Sequence, residues 1–348
     1  MQSFAKKYVN QILFHPSTAW YLSQCGEALG MQELWKKARP EILKNLRESA
    51  IVQSSESSNR IEGVEVEKDR LIPLVLRNAR PRDRSEEEIS GYRKALTFIH
   101  SKHSKIEITP SLIQKLHEFA QGGMISDAGH WKSRNNEIIE ISPQGDRKIR
   151  FTPVSAADTP HAIAQLCLGY KEVTQNSRLP ILISVASFVF DFLCIHPFRD
   201  GNGRVSRLLT LLLLHQNSYE IGKYISLEKL VEDSKNDYYR VLGESSMGWH
   251  TQSHNLLPWW NYILSILKSA YQELRGRVEL SSEGDNKSTI LRQTILAFPI
   301  SFSVADIQNL HPTLGRELIK KVLFKMRDEK QISLVGKGRA AKWKNNHQ

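Results

Sequence analysis

The sequence predicts a mainly α-helical fold that carries one β-hairpin. Apolar residues recur at helical spacing in several segments, as in Ile42, Leu43, Leu46 and Ala50. Residues 181–195 and 208–214 are almost continuously apolar, which favours buried helices, although periodicity alone does not separate a buried helix from a buried strand. Residues 129–151 instead contain two extended runs around a Pro/Gly turn, the pattern of a hairpin.

Length and composition are those of an ordinary soluble protein. A chain of 348 residues, 40% hydrophobic and 24% charged, is long enough for more than one domain. Its cysteines, Cys25, Cys167 and Cys194, are odd in number and lack metal-ligand spacing, which favours free thiols in a reducing compartment. Asp191 interrupts the longest apolar run, and residues 1–8 lack the apolar segment of a signal peptide. We therefore expect a cytoplasmic protein without a membrane partner.

The N-terminal third is predicted to be helical up to a serine-rich segment. Residues 1–39 place aromatic and aliphatic side chains between short polar stretches, which predicts short packed helices. Pro40 opens a further helix. Residues 54–63 are rich in serine, a poor helix former, so composition alone favours a solvated loop that ends at Gly63.

Helix start signals then organise the chain up to the hairpin. Ser85 and Glu88 form a capping box for a helix that continues to residue 99. Thr109 and Pro110 begin another helix, which Gly122 ends. The hairpin that follows is most simply interpreted as a surface ribbon.

A twelve-residue polar loop lies between the two apolar segments. It contains His196, Phe198, Arg199, Asp200, Gly201, Asn202, Gly203, Arg204 and Arg207. Each residue alone has a structural explanation, such as a helix end, a turn or an exposed arginine. Their combination favours an active site, because a plain turn needs neither the histidine nor the second arginine.

The types of residue in this loop predict phosphate chemistry. Glycines let the amides of residues 201–203 turn toward one point at a helix N-terminus, which makes an anion site. Arg204 and Arg207 lie three residues apart and extend that site along a polyphosphate. His196 is suited to take a proton from a hydroxyl, and Asp200 is a hard oxygen ligand for Mg²⁺.

The loop resembles the signature of Fic-domain proteins, His-x-Phe-x-(Asp/Glu)-Gly-Asn-Gly-Arg-x-x-Arg, and matches it at every defined position. The resemblance implies a helical core that transfers AMP from ATP to a protein hydroxyl. It implies that His196 is the base and that Asp200 holds Mg²⁺. Nucleotide binding is then assigned to Phe198, Arg199, Gly201, Asn202, Gly203, Arg204 and Arg207.

The same resemblance gives three further segments a role. Ser58, Glu62 and Gly63 match the inhibitory pattern (Ser/Thr)-x-x-x-Glu-(Gly/Asn) of this family, which implies an inhibitory helix over about 40–63 rather than a loop. Glu62 would then pair with Arg207 and take the donor that the γ-phosphate needs. The hairpin resembles the flap that adds a target segment as a strand. Tyr238 and Tyr239, within a helix predicted over 227–242, resemble tyrosines that contact the nucleotide.

The last part of the chain differs in charge. Residues 286–348 hold twelve Lys/Arg against four Asp/Glu, in a chain whose net charge is +11. Three predicted helices and a basic hairpin resemble a winged helix, with Arg316, Lys320, Lys321 and Lys325 on its third helix and Lys337 and Arg339 in the wing. Contact with DNA is one interpretation, and dimerisation or partner binding is the other.

We therefore expect an N-terminal helical region over 1–105, a catalytic core over 106–275, a linker over 276–287 and a winged-helix-like domain over 288–348. The expected function is autoinhibited transfer of AMP from Mg-ATP to a Ser, Thr or Tyr hydroxyl of a target protein or of the chain itself. Removal of AMP, another nucleotide donor, and a nucleotide-sensing DNA-binding regulator are the alternatives. The expected partners are the target protein and a second copy in a homodimer, with DNA as a further possibility.

Overall fold

The structure is a computed structural model that describes residues 2–102, 106–122, 127–141, 147–280, 287–296, 298, 301–311, 314–336 and 341–346. Its α-helices, in chain order, are α1 Lys6–Val9, α2 Pro16–Ala38, α3 Pro40–Ile61, α4 Lys68–Leu76, α5 Arg84–Lys102, α6 Pro110–Gln121, α7 Thr159–Gln175, α8 Ile181–Ile195, α9 Asn202–Gln216, α10 Leu227–Asp233, α11 Lys235–Ser246, α12 Leu257–Leu280, α13 Lys287–Leu296, α14 Val304–Leu310 and α15 Arg316–Asp328. The strands are β1 Ile138–Ile141, β2 Arg147–Phe151, β3 Ile332–Val335 and β4 Lys342–Asn345. The predicted mainly helical class is confirmed.

The centre of the fold is the pair α8 and α9, which pack on each other. Every residue of α8 from Leu182 to Ile195 is buried, so this helix is surrounded on all sides by other elements. Around the pair lie α5, α6, α7 and α12, and α2 packs along α12. The loop between α8 and α9 is therefore held by two helices that cannot shift without disturbing the core.

Two helix predictions differ from the structure. Residues 16–38 form one long helix, not short ones, because α2 lies along α12 and buries Cys25 and Trp35 there. The helix predicted over 227–242 is instead divided into α10 and α11 at Ser234. The Ser234 hydroxyl donates to the Leu230 carbonyl over 2.7 Å, a local hydrogen bond of the kind that competes with helix continuation.

The capping-box prediction at Ser85 was also wrong. The α5 N-terminus is capped by Asp83, whose carboxylate accepts from the amide of Glu86 over 2.9 Å. The Glu86 carboxylate in turn accepts from the amide of Arg82 over 2.9 Å, so the bonds at the start of this helix involve Asp83 and Glu86 and not Ser85 and Glu88. Glu88 is thereby free of any capping role and points into the core, where it is 1% exposed.

The serine-rich segment is helical, contrary to the loop that composition alone favours. It forms the last turns of α3, where Ser54, Ser55, Ser57 and Ser58 are buried. Hydrogen bonds offset the low helix propensity, since the Ser54 hydroxyl donates to the buried carboxylate of Glu228 over 2.7 Å. Packing of α3 against α5 and α10 thus overrides local preference.

The predicted hairpin is present as β1 and β2. The strands are antiparallel, with Ile139 opposite Ile149 and Glu140 opposite Lys148, and a bulge lies between Ile138 and Ile139. Its predicted Pro/Gly turn lies outside the described residues. Strand β2 also contacts α11, and Asn136, two residues before β1, donates to the Phe198 carbonyl in the loop that joins α8 to α9.

The C-terminal unit contains α13, α14, α15 and the antiparallel pair β3 and β4. This is the predicted order of elements, and its assignment to the winged-helix class stays a prediction. Arg316, Lys320, Lys321 and Lys325 all lie on α15, whereas Lys337, Arg339 and residues 281–286 of the predicted linker lie outside the described residues. The unit shares an apolar cluster with α3 and α4, and Arg77 of the core pairs with Asp306.

Within the described ranges, no helix has both the length and the apolar character needed to cross a membrane.

Candidate active site

The loop between α8 and α9 has two residues in the left-handed region of backbone space. His196, at the end of α8, has φ of 51°, and Gly201, which precedes α9, has φ of 78°. The Asn202 side chain closes the loop, because its Oδ1 accepts from the Phe198 amide over 3.0 Å and its Nδ2 donates to the Phe198 carbonyl over 2.9 Å. These two bonds fix the loop between His196 and the first turn of α9.

Phe198, a residue of this loop, is fully buried and packs against aromatic side chains. The ring of His117 stacks on it with centroids 3.7 Å apart. Nδ1 of His117 accepts from the Gly129 amide over 2.9 Å, so its Nε2 carries the proton and donates to the Asp200 carbonyl over 3.1 Å. Burial lowers the pKa of His117 to about 4, which keeps this bridge neutral. His117 was missed by the sequence analysis, since nothing in its helix distinguishes it from a core residue.

His196 is held as a neutral imidazole with one nitrogen committed to the protein. Its Nδ1 lies 3.3 Å from the Leu193 carbonyl, an acceptor, so Nδ1 carries the proton and Nε2 keeps its lone pair. Burial lowers the pKa of His196 to about 4. The positive charges of Lys132 and Arg150 also lower this pKa, while Glu62 and the Leu193 carbonyl raise it. A neutral imidazole near neutral pH is the form that can accept a proton.

Lys132 is a second residue that sequence reasoning missed. Its ammonium donates to the Ile195 carbonyl over 3.1 Å and to Oδ1 of Asn136 over 2.8 Å, and its amide donates to the Pro197 carbonyl over 2.9 Å. These bonds satisfy carbonyls at the end of α8, on both sides of His196. Burial lowers the pKa of Lys132 to about 8. The cation therefore fixes the backbone that presents His196.

Arg207 is bound by the end of α3, as the inhibitory pattern implies. Its Nε donates to the Ser58 hydroxyl, its Nη2 donates to the Ser58 carbonyl, and its Nη2 also pairs with Oε1 of Glu62, each over 2.8 Å. The Arg207 side chain is 7% exposed and that of Glu62 is 26% exposed. The helix ends at Ile61, and Gly63 has φ of 81°, so the predicted stop at Gly63 is present. Nη1 of Arg207 is buried without a hydrogen-bond partner.

The Glu62 carboxylate also lies directly against the first turn of α9. A methyl group built on Gly203 would collide with Oε1 of Glu62 and stand 3.2 Å from Nη1 of Arg207. Only a residue without a side chain leaves this space open. The carboxylate of Glu62 thus lies beside the first turn of α9, where the helix N-terminus favours a negative charge.

Arg204 lies deeper than Arg207 and is 1% exposed. Its Nη1 donates to Glu88 over 2.7 Å and to the Ala120 carbonyl over 3.2 Å, and its Nη2 donates to Gln121 over 3.3 Å. These contacts tie α9 to α5 and α6. The sequence predicted that Arg204 extends the anion site, but its described partners are protein groups, and a contact with phosphate stays a prediction.

Asp200 and Arg199 lie at the open side of the loop, and the Asp200 side chain is 59% exposed. Oδ1 of Asp200 accepts from the Gly201 amide over 2.6 Å, while its Oδ2 lies 3.5 Å from Arg84 and 3.8 Å from Arg204. No group of three or more His, Cys, Asp or Glu side chains converges as a metal site in the described ranges. One exposed carboxylate fits Mg²⁺ that takes its other ligands from phosphate and water.

Tyr238 and Tyr239 differ in their surroundings. Tyr238 is 5% exposed and packs against Trp259 and Tyr262, with ring centroids 5.6 Å and 5.9 Å away. Tyr239 is half-buried, and Nζ of Lys235 lies 6.0 Å from its ring centroid. The same ammonium donates to the Ile61 carbonyl over 2.7 Å and so holds the end of α3. Of the two tyrosines, Tyr239 is the one that is partly exposed. A contact of either tyrosine with the nucleotide stays a prediction.

Part of this chain is similar to known proteins. Residues 107–214 match the model of the Fic/DOC family. The chain is 24% identical over 216 residues to the protein adenylyltransferase fic-1 of Caenorhabditis elegans. That match covers 59% of this chain and spans 38% of the length of the relative.

Solved structures share the fold. A Fic family protein from Desulfovibrio desulfuricans superposes with a TM-score of 0.62 at 18% identity and covers 97% of this chain and 98% of its own. A Fic domain containing signaling protein from Bacteroides thetaiotaomicron gives 0.61 at 21% identity, over 76% of this chain and 97% of its own. Fic-1 from C. elegans superposes with a TM-score of 0.57 at 18% identity and covers 76% of this chain and 73% of its own.

Proposed function

We propose, from the match of residues 107–214 to the Fic/DOC family model, that this chain is a protein adenylyltransferase. It transfers AMP from Mg-ATP to a hydroxyl of a target protein, and the end of α3 restrains it. The observation that carries the proposal is the position of a neutral His196, with the lone pair of Nε2 available, beside a glycine-rich helix N-terminus. The similarity to an adenylyltransferase supports the choice of AMP as the transferred group.

The reaction uses each part of the loop. A target hydroxyl gives its proton to Nε2 of His196 as its oxygen forms a bond to the α-phosphorus of ATP. The bond from that phosphorus to the bridging oxygen breaks, and pyrophosphate leaves. The amides at the start of α9 stabilise the charge on the phosphate oxygens, because they are fixed before the reaction begins. Phe198 and Asn202 keep this geometry by holding the loop closed.

Asp200 is the residue that would hold Mg²⁺. The ion supplies charge neutralisation for the phosphates of the leaving group. Arg199 is exposed on the same side of the loop, where it is available to the phosphates or to the target.

The restraint rests on the pairing of Arg207 with Glu62. The γ-phosphate needs an arginine donor, and Glu62 takes that donor while its carboxylate lies against Gly203. ATP then binds only if the carboxylate moves away or if the phosphates adopt another position. Ser58 contributes by accepting a bond from Nε of Arg207, which fixes the guanidinium toward α3.

A second candidate function is removal of AMP from a modified hydroxyl by water. The position of the Glu62 carboxylate beside the anion site favours it, since a carboxylate there can accept a proton from water. A nucleotide donor other than ATP also fits the anion site, which recognises phosphates better than the group attached to them.

The C-terminal unit and the partners belong to the same proposal. The target protein is the main partner, and the chain itself or a second copy are further ones. The basic side chains on α15 support contact with DNA phosphates or with an acidic protein surface.

The type of reaction is tested with ATP labelled on either the α-phosphate or the γ-phosphate. Glu62→Gly is incubated with each donor and with an extract of cells as the source of targets. We expect the α-label to mark proteins above the background that Glu62→Gly combined with His196→Ala gives in the same extract, since other enzymes of the extract produce that background. Added labelling from the γ-phosphate above the same background would contradict AMP transfer.

A further inference from the structure

Arg150 is a half-buried cation of the hairpin that the loop signature does not include. On β2, the first three residues are exposed, while Arg150 and Phe151 are half-buried. Phe151 packs on Trp249 and His250, with centroid distances of 6.2 Å and 5.4 Å, which fixes this end of the strand. The Arg150 stem runs along α11, because a methyl group built on Gly243 would stand 3.8 Å from Cδ of Arg150.

The positive charge of Arg150 affects the pKa values of His196 and of two nearby groups. Burial lowers the pKa of His196, and the charge of Arg150 acts in the same direction. Burial raises the pKa of Tyr239 and of Cys194, and the same charge opposes both increases. These three residues lie on α11 and at the end of α8, and the contact of Arg150 with Gly243 places its side chain against α11.

The Arg150 guanidinium is not neutralised there. Its Nε is buried without a hydrogen-bond partner. No carboxylate within the described ranges forms an ion pair with it. A buried donor that lacks an acceptor costs free energy. Such an arrangement is relieved when an anion enters.

Lys132, the other cation that lowers the pKa of His196, differs from Arg150 in its hydrogen bonds. Lys132 already donates to Ile195 and Asn136, so its bonds are used within the protein. Glu62, the carboxylate that acts on His196, is paired with Arg207. Of the two cations that act on the base, Arg150 is therefore the one with a free buried donor.

We propose that Arg150 binds the nucleotide phosphate nearest to His196, so that the hairpin contributes a ligand to the anion site. The inference rests on the proposed function, because it takes a phosphate of ATP as the anion. It also gives the hairpin a second task besides positioning a target, since the strand that lies along the target would hold the reacting phosphate. A guanidinium suits a phosphate because it offers parallel donors to its oxygens.

The test measures binding of Mg-ATP and of adenosine by calorimetry. The reference protein carries Glu62→Gly and His196→Ala, which frees the site and prevents turnover. Arg150→Gln and Arg150→Lys are compared in this background, with Lys148→Gln as the matched control. Lys148 lies on the same strand and is exposed, so the control removes the same charge without entering the site.

We expect Arg150→Gln to weaken Mg-ATP binding about tenfold to a hundredfold, as loss of a hydrogen bond to a charged group implies, and to leave adenosine binding unchanged. Arg150→Lys should retain part of the affinity. Lys148→Gln should change it less than about twofold, because exposed charges are screened. In the Glu62→Gly protein with His196 intact, Arg150→Gln should also raise the pKa of His196 in the pH profile, which a purely structural role would not do.

Equal Mg-ATP affinity in Arg150→Gln and Lys148→Gln would overturn the inference, and so would an equal loss of adenosine binding. If the reference protein does not bind Mg-ATP, both the inference and the proposed function fail. If Mg-ATP binds and depends on Arg150 but Glu62→Gly transfers no AMP, the proposed function alone fails.

Discussion

Replacing Glu62 should strengthen ATP binding by an amount that the structure bounds. Arg207 gives Glu62 one charge-assisted hydrogen bond of 2.8 Å in a mostly buried position. Such a bond is worth about 1.5–3 kcal/mol, and an incoming γ-phosphate has to replace it. Removing the carboxylate with Glu62→Gly should therefore lower the Kd for Mg-ATP about tenfold to 150-fold. Glu62→Gln keeps the shape and loses the charge, so its effect should be smaller.

The assay is calorimetry with Mg-ATP in a His196→Ala background, which prevents turnover. Glu67→Gln is the matched control, since Glu67 is an exposed carboxylate shortly after the same helix and has no side-chain cap bond. The Kd of Glu67→Gln for Mg-ATP should equal that of the His196→Ala parent. A Kd for Glu62→Gly within about twofold of the parent would refute the reasoning, because the bond would then not compete with the nucleotide.

Three further predictions concern the loop and its supports. Glu88→Gln removes the buried carboxylate that pairs with Arg204, and we expect a loss of about 3–5 kcal/mol of unfolding free energy, measured by denaturant titration; unchanged stability would contradict the role of this pair. The kcat of Glu62→Gly should stay constant from about pH 5.5 to 7.5 and fall as the pH approaches 4, because His196 acts as a base only when neutral and burial lowers its pKa to about 4; a midpoint at the ordinary histidine value would contradict the burial argument. Asn202→Ala removes both bonds that close the loop, so kcat should fall about tenfold to a hundredfold with a smaller change in stability, and equal kcat would show that the loop closes without them.

The parts of the site that the sequence predicted are those that lie close together along the chain. The loop from His196 to Arg207 is bounded by two buried helices, and its glycines and asparagine set its shape locally. The contact between Glu62 and Arg207 joins residues far apart in sequence, and it was predicted only because the loop and the serine-rich segment both resemble family patterns. Composition alone favoured a loop for that segment, since it gives no weight to the packing of α3.

The parts that were missed depend on pairing between distant elements. Lys132, His117 and Glu88 act through bonds to residues between 63 and 116 positions away, and no local pattern distinguishes them from ordinary polar residues. Arg150 was missed for the same reason, because its neighbours on the strand are also basic or apolar. Which of three cations on β2 turns inward is decided by strand register and by the contact with α11, and neither is encoded in the residue types alone.

The capping-box prediction at the start of α5 was wrong for the same reason. Both Ser85 with Glu88 and Asp83 with Glu86 satisfy the spacing of a capping box. The structure uses the second pair because Glu88 is needed by Arg204 in the core. Tertiary contacts thus choose between two equally good local signals.

In the proposed mechanism, His196 performs AMP transfer and Glu62 restrains it. The most direct measurement is intact mass spectrometry of the purified chain after incubation with Mg-ATP. It compares the wild type, Glu62→Gly, and Glu62→Gly combined with His196→Ala. We predict a mass gain of one AMP in Glu62→Gly, little or none in the wild type and none in the double variant. A gain that survives His196→Ala, or one that is as large in the wild type as in Glu62→Gly, would contradict the claim.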